Sequence, residues 1–414
     1  CPQDFSLHLI TTIKNISRID YINYLILLYA FLLPLSLDMT RTISIILIIL
    51  WISGKDRFET SIPKPLIIFL AFIGISFISY FWSDSTFQEV FKYIKRYWYF
   101  FPAFIIYKYI KKAYIEYAIS TFLLGMFISE IISFGIYFQI ISPFGLASTT
   151  TPSPFMQHTM YSIFLAATSI FLLGRLLYEK NIKYKVIYFL FFLSVTINLF
   201  INTGRTGQIA FFGALVILFI YKYKLHIKSV FLTVLSIIFI LFTAYNFSPN
   251  FKNRMNQTEQ SINQMIKKGD YSTSVGIRAA FWIISKEMFL ASPVIGVGTA
   301  DHLRKMKITI EEKLPHLKIN KGYLHFHNQY LEILVQLGII GLFIFLSFLY
   351  SIIRIKILNQ EIHLLKIGFV SAFILGMLTD NILWLNMTIM LFSFVLGLLL
   401  AQNKYEQKRL KEEN

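Results

Sequence analysis

Apolar residues fall along this chain in long unbroken blocks, not in the alternating or striped patterns of half-buried elements. Twelve blocks approach or reach the length of about 20 residues that a helix needs to cross hydrocarbon. They lie near 20–38, 40–54, 65–82, 88–108, 114–141, 159–178, 184–202, 206–222, 229–247, 329–353, 365–380 and 382–401. The pattern predicts an all-α polytopic membrane protein with about 12 transmembrane helices. The second block is short and the last two can pair as a re-entrant hairpin, so eleven to thirteen spans fit the pattern.

One segment departs from it. Between Ser248 and Asn328 no apolar run is long enough to span. That segment reads as helical pieces, Lys252–Lys268 and Gly276–Leu290, followed by a Pro/Gly-punctuated turn at Ser292–Gly298. The predicted organisation is nine helices over 1–247, a loop domain over 248–328, three helices over 329–401 and a tail over 402–414. A loop of this length inside a compact protein is usually functional. There is no internal repeat and no phosphate-loop or dinucleotide fingerprint.

Composition narrows the class. Charged residues are 15% of 414 and hydrophobic residues 56%, with mean hydropathy +0.61. Soluble domains carry about 25% charged residues, so a cytosolic globule and a disordered chain are both excluded. Cys1 is the only cysteine, which rules out an internal disulfide and a thiolate metal cluster. The net charge of +17 would suggest nucleic acid in a soluble protein. Here it is sorted by side, and no nucleic-acid partner is expected. Lys55, Arg57 and Lys64, then Lys108, Lys111 and Lys112, then Arg175 to Lys185, and the tail from Lys404 to Lys411 all occupy one set of loops. The alternate loops, such as Ile141–His158, are nearly free of Lys and Arg. This is the positive-inside pattern, with both termini cytoplasmic and the large loop outside. A lipidated Cys1 conflicts with that orientation. The first apolar block runs on into a second, unlike a cleavable signal peptide.

The informative residues are cations on the wrong side, since outward or intramembrane ionisable groups are expensive. Arg205 stands in Asn202-Thr-Gly-Arg-Thr-Gly207 at the outer junction of two blocks. Its neighbouring glycines allow close backbone approach, and the helix start favours an anion. A snorkelling Arg at a helix end is the bland alternative. Lys92, Lys95, Arg96 and Tyr99 share one helical face of block 88–108, and the cations suit a phosphate or pyrophosphate, or lipid headgroups. Arg278 lies in Ser274-Val-Gly-Ile-Arg278 near a helix start, where a surface salt bridge would explain it equally well. His325 and His327 precede Asn328 at the entrance to the tenth span, with Gly338 and Gly341 behind. At i and i+2 they do not share a helix face, but they can diverge from a loop. Imidazole is the natural general base near neutral pH, and a His that merely caps the span is the alternative. The outer carboxylates Asp84, Asp270, Asp301, Glu311, Glu312, Glu332 and Asp380 are scattered. Neither a catalytic metal nor a cofactor is expected.

His327-Asn328, nine residues, Gly338, two residues, Gly341 resembles the His-Asn-x9-Gly-x-x-Gly signature of the bacterial O-antigen ligase family. Its wider superfamily also holds O-antigen polymerases and protein O-oligosaccharyltransferases. Arg205-Thr206, Ser274 to Arg278, Ser292-Pro293, and a late Asp380 with Trp384 follow in the family's order. The resemblance covers about residues 200–390. It implies a C-type glycosyltransferase fold and metal-free transfer of a glycan from undecaprenyl pyrophosphate to lipid A-core. The reaction would take place at the periplasmic face of the inner membrane. It implies His327 as catalytic base, and Arg205 and Arg278 as pyrophosphate ligands. Lys95 and Arg96 are added on position alone, with His325 as rival base and Asn328, Gly338 and Gly341 in support. Two alternatives stand. A polymerase would use a second lipid-linked repeat as acceptor. A flippase for a lipid-linked anion would need charged or broken mid-span helices and repeat symmetry, yet the spans are apolar save Glu130 and carry no repeat.

Overall fold

Every one of the twelve apolar blocks forms helix in the computed structural model, which describes residues 17–56, 61–224, 226–317, 319 and 325–413. Cys1 and Arg57 lie outside the described residues. In chain order the helices are α1 (Arg18–Leu32), α2 (Leu37–Ile52), α3 (Lys64–Ile78), α4 (Phe87–Ile94), α5 (Pro102–Tyr109), α6 (Lys112–Tyr137), α7 (His158–Tyr178) and α8 (Ile182–Ile201). They continue with α9 (Arg205–Tyr223), α10 (Ile227–Phe247), α11 (Pro249–Lys268), α12 (Gly276–Ala291), α13 (His302–Lys313), α14 (Gln329–Ile353), α15 (Gln360–Gly376) and α16 (Asn386–Glu413). No strand occurs among the described residues.

Seven of these helices are long and apolar enough to cross a bilayer, counting α3 with its 3-10 extension to Trp82. An eighth is added if α10 and α11, bent by 102° to each other, form one span. The other predicted blocks also fold as helix but are cut short. Ser17 and Ser36 cap α1 and α2, which hold 15 and 16 residues, and α15 has 17. Block 88–108 is divided into α4, a 3-10 stretch Lys95–Phe100 and α5. Pro102 opens α5, and proline has no N–H to continue a helix.

The core column is α16, whose residues from Met387 to Gln402 are all buried. A helix apolar on every side belongs inside. The 3-10 stretch, α5, α6 and α7 pack against it, while α9 lies between α7 and α15. The segment between α10 and α14 has a smaller core of its own. Ile277, Phe281, Ile284 and Met288 of α12 meet Met306 and Ile310 of α13, with Phe326 and Leu331 at the start of α14. The helical pieces expected there extend from Pro249 and to Ala291, and α13 is an additional helix.

These two cores are joined at a break in α14. Gly338 adopts φ 61°, ψ −160° inside this otherwise helical segment. Two helical bonds, from Ile339 N–H to Val335 O and from Ile340 N–H to Gln336 O, are thereby exchanged for four bonds to the Pro293–Gly298 turn. Val297 and Gly298 N–H donate to Val335 O and Gln336 O, both at 2.9 Å. Ile339 N–H donates to Pro293 O at 2.9 Å and Ile340 N–H to Val294 O at 3.3 Å. The two backbones approach so closely that a Cβ at Gly338 would strike the Val294 carbonyl, and one at Gly296 would strike that of Gln336. Both glycines have positive φ, the region glycine enters at no steric cost.

Candidate active site

The turn from His325 to Asn328 is sewn into place from both ends. The Asn328 side chain caps α14, accepting from Tyr330 N–H at 3.0 Å and Leu331 N–H at 3.1 Å. Its amide donates to Leu378 O at 3.1 Å, and Gln329 N–H donates to Met377 O at 2.9 Å. The cap is therefore Asn328, which frees His327 from that duty. His327 itself sits at φ 48°, a conformation disfavoured for side chains with a Cβ. Such outliers cluster at functional positions.

This stitching brings the segment after α15 against the turn, and with it Asp380. His327 Nδ1 is 3.4 Å and His325 Nδ1 3.7 Å from Asp380 Oδ1. The two imidazole centroids are 4.2 Å apart, so the histidines converge where the sequence reading let them diverge. His327 N–H donates to His325 Nδ1 at 3.2 Å. Burial acts to raise the Asp380 carboxyl, but the His327 hydrogen bond and the charges of His325 and His327 outweigh it and hold the group below its ordinary value. His325 is shifted down, chiefly by burial, with Asp380 opposing. The scattered outer carboxylates are thus not all scattered in space. One ligand atom from each of His325, His327 and Asp380 falls within 4.8 Å of the others, a grouping able to hold a metal ion.

The arginines approach from the other side. Arg278, near the start of α12, donates Nη1 to Ser274 O at 2.7 Å and Nε to Thr379 O at 3.4 Å. Arg205 opens α9, and its Nη1 donates to Ser274 Oγ at 3.4 Å. Both guanidinium groups therefore meet at one serine, with Arg278 leaning on the residue beside Asp380. Burial pushes Arg278 below its ordinary value, and Asp380 opposes this. Arg205 Nη2 is buried with no hydrogen-bond partner among the described residues.

Two residues at this site escaped the sequence reading. Arg254 of α11 acts electrostatically on Arg205 and on His158, and His158, the first residue of α7, also lies in the field of Asp380. An ionisable residue opening a span on the Lys-poor side was the available signal for His158. Arg254 sits in a generally polar helix, where nothing local distinguishes it. Lys95 and Arg96 do not continue the helical face of Lys92, because α4 ends at Ile94 and they open the 3-10 stretch Lys95–Phe100. Lys95 is exposed. The Arg96 guanidinium lies 3.6 Å from the centroid of the Trp384 ring, and that ring is 6.2 Å from His325.

An apolar cavity of about 380 Å³ lies where α6, α8 and α10 meet, lined among others by Tyr137, Phe200, Phe239 and Phe247. It ends at Ser248, where α11, the helix carrying Arg254, begins.

Known proteins share part of this chain. An uncharacterized protein of Haemophilus influenzae is 30% identical over 155 residues, 36% of this chain and 38% of that protein. The alignment therefore spans well under two thirds of the relative's length. Residues 187–346 match the family model described as O-antigen ligase. That stretch takes in Arg205, Arg254, Arg278, the His325–Asn328 turn, Gly338 and Gly341, and stops short of Asp380. Over residues 187–346 this chain is therefore similar to the O-antigen ligase family.

Proposed function

We propose that the protein is an O-antigen ligase of the bacterial inner membrane. In this reading both termini are cytoplasmic and the site faces the periplasm. It transfers a glycan from undecaprenyl pyrophosphate to a sugar hydroxyl of lipid A-core. The observation that carries the reading is the convergence of an imidazole–carboxylate pair with a cluster of arginines at the end of an apolar bundle.

The chemistry follows from that arrangement. His327 Nδ1 faces Asp380, which orients the ring for Nε2 to take the proton of the acceptor hydroxyl. The acceptor oxygen bonds to the anomeric carbon as the bond from that carbon to the pyrophosphate oxygen breaks, and the configuration inverts. Undecaprenyl pyrophosphate leaves with the bonding electrons. A positioned base of this kind is typically worth about 10²–10⁴-fold. Arg205 and Arg278 bind the departing pyrophosphate, and Arg254 adds its charge. Like charges in one another's fields are relieved by an anion, and preorganised charge at a leaving group is often the largest catalytic contribution. The buried Arg205 Nη2 gives that anion a donor. The apolar cavity beside α11 takes the first isoprene units, and Arg96, stacked on Trp384 near His325, adds a further cation on that side.

The test uses purified protein with lipid-linked glycan and lipid A-core. His327→Ala is expected to abolish transfer with donor binding nearly intact. Arg205→Lys keeps the charge but loses the guanidinium fork, and is expected to remain impaired. Near wild-type transfer by His327→Ala would end the general-base assignment. Growth of lipid-linked repeats into longer chains without lipid A-core would replace ligase by polymerase.

A further inference from the structure

Behind the histidine turn lies a buried polar network that the proposed chemistry does not use. Glu332 of α14 is 0% exposed, and its carboxylate is surrounded by four donors. Oε2 accepts from Phe326 N–H at 2.8 Å. Oε1 accepts from the Gln336 amide at 2.8 Å and the Tyr93 hydroxyl at 3.2 Å, and it lies 2.8 Å from His302 Nε2. Gln336 also donates to the Tyr93 hydroxyl at 2.8 Å.

His302, at the start of α13, is 1% exposed. Its other ring nitrogen, Nδ1, lies 2.9 Å from Thr299 O. Nδ1 also lies 3.2 Å from the Gln336 amide nitrogen, so the ring is enclosed by Thr299, Gln336 and Glu332. Thr299 continues the chain into the membrane helices. Its N–H donates to Ser79 Oγ at 3.0 Å and its hydroxyl to Ser76 O at 3.1 Å.

We infer that Glu332 and His302 are positioning residues that hold the His325–Phe326–His327 turn in its working geometry. Phe326 stands between the two histidines and is gripped twice. Its N–H is held by Glu332, and its ring is buried in the smaller core against Phe281, with centroids 5.4 Å apart. With that residue fixed on both counts, His327 is constrained to its left-handed backbone and its approach to Asp380. A buried carboxylate is costly to desolvate unless fully hydrogen-bonded. Here the donors come from four separate segments: α4, α13, α14 and the turn itself. The network therefore reports whether the loop helices and the membrane helices are docked, and it transmits that state to the base.

The kinetic arm of the test rests on the proposed role of His327, whereas its exchange arm does not. In purified full-length protein, Glu332→Gln places an amide where His302, Tyr93 and Gln336 all donate. Backbone hydrogen exchange at 325–328 is expected to speed up by about tenfold or more, with α6, α7 and α16 unchanged. The kcat of transfer is expected to fall roughly ten- to hundredfold, as removal of outer partners commonly does, with KM for donor within about twofold. His302→Gln retains a donor toward Glu332 and is expected to stay near wild type, while His302→Leu behaves like Glu332→Gln. The double variant Glu332→Gln, His302→Leu is expected to lose little more than either alone, because partners in one network are not additive. Unchanged exchange at 325–328 in Glu332→Gln or His302→Leu overturns the positioning role. So does His302→Gln as damaging as His302→Leu, or a loss seen equally in KM and thermal stability. Full activity of His327→Ala alongside faster exchange in Glu332→Gln would instead leave the positioning role standing and remove the chemistry assigned to His327. If Glu332→Gln does not fold, the His302 pair carries both arms.

Discussion

At the residue scale, the site depends on groups whose charge is set by burial. His325 carries the clearest consequence. Burial lowers its pKa from the ordinary 6.5, so the unfolded chain binds a proton more readily than the folded one. Stability should therefore be full above about 6.5 and fall as pH drops below that value, until the folded group also protonates. In thermal unfolding from pH 7 to 5, wild type is expected to lose more stability than His325→Gln. Equal pH slopes in the two proteins would show that His325 is not the group responsible. His327 and Arg205 stand out in the sequence, one by its Asn-followed motif and the other as an arginine between apolar blocks among the Lys-poor loops. In the sequence Asp380 is one of several scattered carboxylates and a late acid in family order, since a contact across 53 residues leaves no trace in spacing.

At the scale of elements, spans were legible because twenty consecutive apolar residues have few other uses. Interruptions were harder to see. No helix breaker precedes Pro102 in block 88–108, so Lys92, Lys95, Arg96 and Tyr99 read as one helical face although α4 ends at Ile94. Gly338 was visible as a motif glycine, but its partner turn was not, because the pairing exists only where two backbones touch. The substitution Gly338→Ala tests that contact. It forces a Cβ into the Val294 carbonyl at positive φ and disturbs up to four hydrogen bonds, so a loss of about 3 kcal/mol or more is expected. Thermal unfolding in detergent measures it. A stability within about 0.5 kcal/mol of wild type would mean that the turn and the helix do not need each other.

At the scale of the molecule, two cores meet along one seam, and the candidate site lies on it. Arginines come from α9, α11 and α12, histidines from the turn before α14, and the carboxylate from the segment after α15. Such a site can be charged for pyrophosphate without Mg²⁺, even though His325, His327 and Asp380 have the geometry to hold an ion. Glycan transfer by purified protein is therefore expected to persist in excess EDTA. Full loss with chelator, restored by Mg²⁺ or Mn²⁺, would assign that trio to a metal and take the base away from His327.

The exchanged hydrogen bonds at Gly338 also bear on how the protein is made. Nothing in hydrocarbon can satisfy an open backbone group, and each one costs several kcal/mol there. The ribosome synthesises Pro293–Gly298 some forty residues before the break it completes, so the missing partner is already present when α14 enters the bilayer. A graft that moves this turn to follow α14 would reverse that order and leave the break to be completed only after the helix is made. The order of segments along the gene therefore decides whether this break is completed as the helix is made or afterwards.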